Sequence, residues 1–144
     1  MWSLITLIVV LLVGAIAYAI YGHRHHLAPS TGKKINLSKR PNSALLIVDL
    51  QEDFTNATGK NAYDPDLVEK RIAAINDLVE TANANGYPVI SIRQTFRGWY
   101  MNLLMKLLNE GRGSPKSEGL DLDARINGDI DHDIVKARAD GVSE

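Results

Sequence analysis

The chain contains no cysteine among its 144 residues. Disulfide bonds, thiolate zinc sites, iron–sulfur clusters and a cysteine nucleophile are therefore excluded for this polypeptide by itself. Net charge is nearly absent as well, because 16 Lys and Arg face 17 Asp and Glu for a formal net charge of -1. This balance argues against a nucleic-acid binder that depends on bulk positive charge, so we expect no nucleic-acid partner. The length suits one ordinary domain.

Charged residues are also missing from the first 21 positions, of which 18 are apolar. Residues 2–21 would form a helix about 30 Å long, which matches the hydrocarbon thickness of a bilayer. We therefore predict a transmembrane helix at 1–22 that contacts the lipid bilayer through residues 2–21. A cleaved signal peptide is the alternative, because residues 17–19 read Ala-Tyr-Ala, as a cleavage site does. The length of the run and the lack of a preceding Lys or Arg argue against that alternative.

Basic residues follow the apolar run and none precedes it. They are Arg24, Lys33, Lys34, Lys39 and Arg40. The positive-inside rule keeps this side of the membrane span in the cytoplasm. The sequence therefore predicts a single-pass membrane protein whose soluble part is cytoplasmic. The same segment contains Pro and Gly, which together with its charge predict a basic juxtamembrane linker at 23–42.

Strand and helix patterns alternate in the rest of the chain. Residues 44–48 form an unbroken apolar run, typical of a strand that is covered on both faces of a parallel sheet. A helix is predicted between Asp64-Pro65, an N-cap followed by proline, and Gly86. Further strands are predicted at 88–92 and 134–135, with a second helix at 99–109. Strands that alternate with helices in this order indicate βαβ units and a parallel sheet.

Two charged residues lie where predicted strands end. Asp49 directly follows the first strand, and Lys136 follows the third. Because chemistry in such sheets collects beyond the carboxyl ends of the strands, both are candidate catalytic residues. A carboxylate at the end of a strand is also common without any catalytic role, and Lys136 alone could equally be a surface residue of an edge strand.

Three segments around these positions resemble a known family. They read ALLIVDLQEDF at 44–54, GLDLDARI at 119–126 and IVKARAD at 134–140. In order and spacing they resemble the isochorismatase-like cysteine hydrolases, a group that includes nicotinamidases. The resemblance implies an α/β fold in which the transmembrane helix is followed by a partial doubly wound parallel sheet of about three strands and two to three helices. Residues 43–144 would form this partial hydrolase domain.

The resemblance also implies roles for individual residues. Relatives use a triad of Asp, Lys and Cys, in which Asp49 would take the thiol proton and Lys136 would favour the thiolate. Phe54 would line the substrate pocket. Some relatives bind a metal through an Asp-x-His motif after the second strand, but residues 91–96 contain no His. We therefore expect no metal and no cofactor.

One departure from the family concerns the nucleophile. In relatives the cysteine lies on a later βα unit, whereas this sequence stops at Glu144, just past the lysine motif. We expect a membrane-anchored hydrolase of the amide or ester type that is truncated before its nucleophile and inactive alone. Its partner would be a second copy of the chain or a polypeptide that carries the missing half. The alternative function is a non-enzymatic, membrane-tethered fragment or interaction protein. We also expect strand 44–48 to form an apolar open edge.

Two remaining features are predicted to be structural. The acidic residues between 121 and 133 do not fit an EF-hand template, so we expect a solvated loop. Phe96, Trp99 and Tyr100 are expected to pack in the core around the second helix, with a substrate lid or contact with a membrane surface as alternatives.

Overall fold

The computed structural model describes residues 2–27, 36–39, 42–56, 58 and 62–138. The elements in chain order are α1 (Trp2–His26), a 3-10 helix (Leu37–Lys39), β1 (Leu45–Val48), α2 (Glu52–Thr55), α3 (Pro65–Ala84), β2 (Val89–Gln94), α4 (Trp99–Leu108) and β3 (His132–Lys136). The prediction of an α/β chain that begins with a long apolar helix is confirmed. Half of the predicted linker, residues 28–35 and 40–41, lies outside the described part of the chain.

The three strands form one parallel sheet in the order β1-β2-β3. Ile47 pairs with Ser91 on one side of β2, and Ile92 pairs with Ile134 on the other. β2 and β3 are longer than the sequence patterns indicated, because polar residues such as Gln94 and His132 still form ladder hydrogen bonds at the strand ends. This order places the carboxyl ends of β1 and β3 on either side of the carboxyl end of β2.

Helix α3 begins and ends as its sequence predicts. The Asp64 side chain accepts a hydrogen bond from the Leu67 amide at 3.0 Å, and Pro65 follows in the first turn. Such an N-cap satisfies one of the amides that a helix start leaves without a partner. The helix ends at Ala84, and Gly86 lies just beyond it with a φ of 69°. A positive φ at this position favours glycine.

The core lies between α3 and one face of the sheet. Its buried members are Ile47, Val79, Ala82 and Val89. The opposite face of β1 is different, since Leu46 and Val48 are 52% and 49% exposed. The expectation that this strand is covered on both faces is therefore wrong for the described residues. α3 packs on one face only, and no described element shields these two side chains on the other.

Helix α1 is long, apolar and exposed. A window within Ser3–His25 has a mean hydropathy of 2.7 and none of it is buried, so the helix has the length and composition to cross a membrane. Near its end, Gly22 is buried and Tyr18 lies 5.4 Å from Trp99, measured between ring centroids. Trp99 is nevertheless 67% exposed. The predicted core packing is wrong for this residue, because the first turn of α4 contacts α1 instead of the sheet core.

Candidate active site

The first and third strands bring Asp49 and Lys136 together. Lys136 is the last residue of β3, and its Nζ donates a hydrogen bond to Asp49 Oδ2 at 3.0 Å. Asp49 follows β1 with a φ of 56°, a left-handed conformation that Asp tolerates better than most residues. Its amide donates to the Ile92 carbonyl at 2.8 Å, which fixes this turn against β2. The two candidate residues therefore meet above the end of the central strand.

The two side chains of this ion pair differ in their surroundings. The Lys136 side chain is 5% exposed, whereas that of Asp49 is 42% exposed. The second carboxylate oxygen, Oδ1, is buried and accepts no hydrogen bond from any described residue. A carboxylate with one oxygen held by an ammonium and the other uncommitted can accept a proton from a neighbouring group. The ammonium in turn can stabilise negative charge that develops beside it.

Gln51 holds the strand ends together. It is fully buried, and its Nε2 donates to the carbonyls of Gln94 at 3.0 Å and Leu120 at 2.8 Å. The Gln94 amide donates back to Gln51 Oε1 at 2.5 Å. One side chain thus joins the turn after β1, the end of β2 and the segment before β3. Sequence reasoning assigned Gln51 no role, since only its place in the first motif distinguished it from a surface glutamine.

Asp53 fixes the loop that follows α4. Its Oδ2 accepts from the Gly113 amide at 2.6 Å, and its Oδ1 accepts from the Ser117 hydroxyl at 2.5 Å. The Asp53 amide donates to the Gly119 carbonyl at 2.9 Å. Gly119 approaches so closely that an added Cβ would lie 2.5 Å from Asp53 Oδ1. The loop is therefore held against α2, beside Phe54.

A cavity of about 640 Å³ opens next to Asp49. Its wall consists of Val48, Asp49, Leu50, Asp53, Phe54, Thr55, Tyr63, Leu67, Val68, Arg71, Ile72, Gln94, Phe96, Asn109 and Arg112. The volume is in the range of small-molecule sites, which are mostly apolar with a few polar groups. Phe54 lies on the wall, and its contact with substrate, which the family resemblance implies, stays a prediction. Asp49 is on the wall of this cavity and Lys136 is not.

Comparison with known proteins identifies the family. The family model of the isochorismatase domain matches residues 43–144, which is well over half of the chain. The chain belongs to the isochorismatase domain family. No curated protein and no solved structure matches it significantly. The expected resemblance is thus confirmed, and it places the chain in a hydrolase family. The matched region contains all three strands and every side chain of the candidate site.

The second motif of the isochorismatase domain contains an ion pair between a buried carboxylate, Asp123, and a partly exposed guanidinium, Arg125. Asp123 is 3% exposed, and its Oδ1 and Oδ2 accept from Arg125 Nε at 2.8 Å and Nη2 at 2.5 Å. The Thr55 hydroxyl also donates to Oδ2. The Arg125 guanidinium lowers the pKa of Asp123 to about 2, although burial acts in the opposite direction. The predicted solvated loop is therefore wrong at Asp123, which joins this segment to α2.

A metal site in the isochorismatase domain would require several His, Asp or Glu side chains close together. Among the residues that the structure describes, no group of three or more His, Asp or Glu is placed to hold a metal ion. The expectation of no metal and no cofactor stays a prediction from the sequence.

Proposed function

We propose that the chain is a membrane-anchored isochorismatase-domain protein whose site serves hydrolysis of amide or ester bonds. In this proposal Asp49 and Lys136 are the catalytic residues and Phe54 contacts the substrate. The observation that carries the proposal is the contact of 3.0 Å between Lys136 Nζ and Asp49 Oδ2, next to a cavity of about 640 Å³ at the carboxyl ends of the strands. Open sheets of this type bind their ligands at that place.

The proposed roles follow from charge and position. Asp49 takes the proton of a nucleophile, and Lys136 stabilises the negative charge of the nucleophile and of the intermediate. The family resemblance implies a thiol as that nucleophile, and the chain contains no cysteine. We therefore propose that this polypeptide alone does not turn over substrate. Turnover would require a thiol placed beside Asp49.

Hydrolysis assays test this part of the proposal. The full chain in detergent micelles is incubated with a panel of small amides and esters, beside Asp49→Ala and Lys136→Met. We expect all three proteins to release product no faster than buffer. Turnover that both substitutions abolish would contradict the inactivity but support the assigned site. Turnover that neither substitution changes would contradict the site.

Binding of ligands tests the cavity independently of turnover. Saturation-transfer NMR with a small aromatic amide should show contact with the full chain, and Phe54→Ala should weaken it because the ring forms part of the cavity wall. Leu78→Ala is the control, since Leu78 is 55% exposed and does not line the cavity. Equal contact with both variants would contradict the proposed role of Phe54.

The proposed anchor is helix α1, with the soluble part in the cytoplasm. Its support is the apolar composition and exposure of the helix along its hydrophobic window and the basic residues that follow it. A cleaved signal peptide passes the same test of length and composition. The packing of Tyr18 and Gly22 on α4 favours retention, because cleavage after Ala19 would remove Tyr18 from this contact.

Mass spectrometry and protease protection test the anchor. The chain expressed in bacteria should keep residues 1–21, remain in the membrane after alkaline carbonate extraction, and be digested by protease only when the cytoplasmic side is accessible. A mature chain that begins after Ala19 would contradict the anchor. Digestion from the outer side of intact spheroplasts would contradict the orientation.

A second candidate function is that of a non-enzymatic interaction protein. The observation that favours it is the exposed apolar face of the sheet, where Leu46, Val48 and Ile134 are 52%, 49% and 48% exposed. Light scattering of the full chain in detergent distinguishes the monomer from a self-associated form. A double variant, Leu46→Lys with Val48→Lys, should then abolish any self-association that depends on this face.

A further inference from the structure

We propose that helix α4 lies in the headgroup region of an anionic membrane surface, parallel to the bilayer. The proposal rests on the membrane anchoring proposed above. The apolar stripe of α4 consists of Trp99, Leu103 and Leu107. These residues are 67%, 40% and 68% exposed. Their spacing of four residues places them on one side of the helix, while Met101, on another side, is fully buried.

The charges around the apolar stripe suit anionic lipid. Arg97 lies two residues before α4 and Lys106 lies in its last turn, and both are exposed. Residues 95–108 contain no Asp or Glu, and the next acid along the chain is Glu110. A helix with exposed Trp and Leu beside basic side chains is typical of the interface between lipid headgroups and acyl chains. Long basic side chains at such a helix extend to the headgroups.

The contact with α1 sets the depth of α4. Tyr18 lies 5.4 Å from Trp99 and 6.1 Å from Tyr100, measured between ring centroids. Gly22 completes this contact, because an added Cβ there would lie 2.6 Å from the Tyr100 ring. Tyr18 is about one helical turn before the end of the apolar run, which is the level of the headgroups if α1 spans the bilayer. Tyr and Trp are enriched at that level.

The position of α4 at the end of α1 favours lipid as the molecule that contacts the apolar stripe. A helix that packs on the end of a membrane span is already at the bilayer surface, so its exposed apolar side faces the interface without any further partner. Burial of Trp and two Leu side chains there would stabilise the association through the hydrophobic effect. A second copy of the chain or another protein on the stripe is an alternative that the following experiment distinguishes.

Tryptophan fluorescence tests the proposal in the full chain. The sequence contains two Trp, so Trp2→Phe leaves Trp99 as the sole indole. This variant is reconstituted into vesicles of phosphatidylcholine and phosphatidylglycerol that carry a spin label near the headgroup. We expect blue-shifted emission, quenching by the spin-labelled lipid and protection from acrylamide in water. Quenching should be weaker in vesicles of phosphatidylcholine alone, and equal quenching would overturn the role of anionic lipid.

Two glycines of α1 provide a matched pair of variants in this background. Gly22→Leu should separate α4 from α1 and reduce the quenching of Trp99 by lipid. Gly14→Leu is the control, because no atom lies within 4 Å of a Cβ at Gly14. Leu103→Glu with Leu107→Glu should also reduce quenching, since the charges would have to enter the interface. If Gly22→Leu and the double variant of Leu103 and Leu107 both leave the quenching of Trp99 unchanged, the proposal is overturned.

Flotation of the vesicles separates this inference from the anchoring on which it rests. A chain that floats with the vesicles while acrylamide reaches Trp99 overturns the position of α4 and leaves the anchor intact. A floating chain whose Trp99 is protected from both quenchers has protein on the stripe, which also overturns it. A chain that does not float overturns both proposals.

Discussion

Lys136 and Asp49 are 87 residues apart in sequence, yet Lys136 Nζ lies 3.0 Å from Asp49 Oδ2. The parallel order of the sheet produces this contact, because β1 and β3 end at the same edge with β2 between them. The pair is asymmetric: the lysine side chain is buried and the carboxylate is partly open to the cavity. Removing the Asp49 carboxylate and removing the Lys136 ammonium should therefore lower the stability by different amounts.

Asp49→Ala should lower the free energy of unfolding by about 1–3 kcal/mol, because it leaves a buried ammonium without its carboxylate partner. Lys136→Met should cost less, since water can still reach the carboxylate of Asp49. Urea unfolding of the full chain in mild detergent measures both values.

Asp49→Gly serves as the control for backbone strain at this position. It removes the same carboxylate, but glycine adopts the observed φ of 56° without strain. We expect it to be more stable than Asp49→Ala by about 1 kcal/mol. If Asp49→Ala lowers the free energy of unfolding less than Lys136→Met does, the proposed difference between the buried lysine and the partly exposed carboxylate is contradicted.

Gln51→Leu should destabilise the domain strongly. The substitution keeps a side chain of similar size but leaves the buried carbonyl and amide of Gln94 and the partly buried carbonyl of Leu120 without the Gln51 side chain as partner. Each unsatisfied buried group costs about 1–3 kcal/mol, so we expect a total loss of about 3 kcal/mol or more. Glu52→Ala is the control, because Glu52 is the next residue and is exposed. Equal urea midpoints of unfolding for Gln51→Leu and Glu52→Ala would contradict the proposal that the Gln51 side chain joins the three segments.

The sequence predicted the sheet and the two charged candidates because both depend on local patterns. Apolar runs mark the strands, and Asp49 and Lys136 stand where the runs stop. Parallel strands separated by helices leave few arrangements, so residues at the strand ends are expected at one edge. The separation of 3.0 Å between the two side chains has no such local signal. It depends on the register of β1 and β3 against β2.

The residues that sequence reasoning missed depend on long-range docking. Gln51 and Asp53 bind segments near residues 113–120, and Asp123 binds Thr55 of α2. Nothing in the local pattern separates these polar side chains from solvated ones, because these three contacts join residues that are 60 to 69 positions apart. The contact between Trp99 and Tyr18 of α1 also joins distant parts of the chain, so it has no local signal either.

Gly113→Ala should disturb the wall of the cavity. The residue has a φ of 72°, and an added Cβ would lie 3.0 Å from the Phe96 ring and 3.1 Å from the Phe54 ring. Gly86→Ala is a matched control, because Gly86 has a φ of 69° and no atom within 4 Å of its Cβ position. We expect Gly86→Ala to cost about 1 kcal/mol for the backbone conformation alone. Gly113→Ala should cost about 1–3 kcal/mol more because the two rings must shift.

Urea unfolding compares the two glycine variants, and NMR of the Phe54 and Phe96 ring protons reports the shift directly. Equal losses of stability with unchanged ring signals would contradict the close contact at Gly113.

Asp123→Asn tests the pH dependence that the ion pair with Arg125 predicts. Arg125 lowers the pKa of Asp123 in the folded state to about 2. An unfolded Asp titrates near 3.9, so the unfolded state binds the proton more readily between these values. The contribution of Asp123 to stability is therefore complete above the unfolded pKa and is lost as the pH falls toward the folded pKa. The size of this contribution is about 2 kcal/mol at neutral pH.

Urea unfolding at several pH values measures this contribution. We expect Asp123→Asn to be less stable than the unsubstituted chain at pH 7, and the difference to shrink steadily as the pH falls below the unfolded pKa. Asp129→Asn is the control, because Asp129 lies in the same segment and is exposed. This control should follow the unsubstituted chain at every pH. A difference for Asp123→Asn that stays constant in acid would show that packing, and not the charge of the carboxylate, joins this segment to α2.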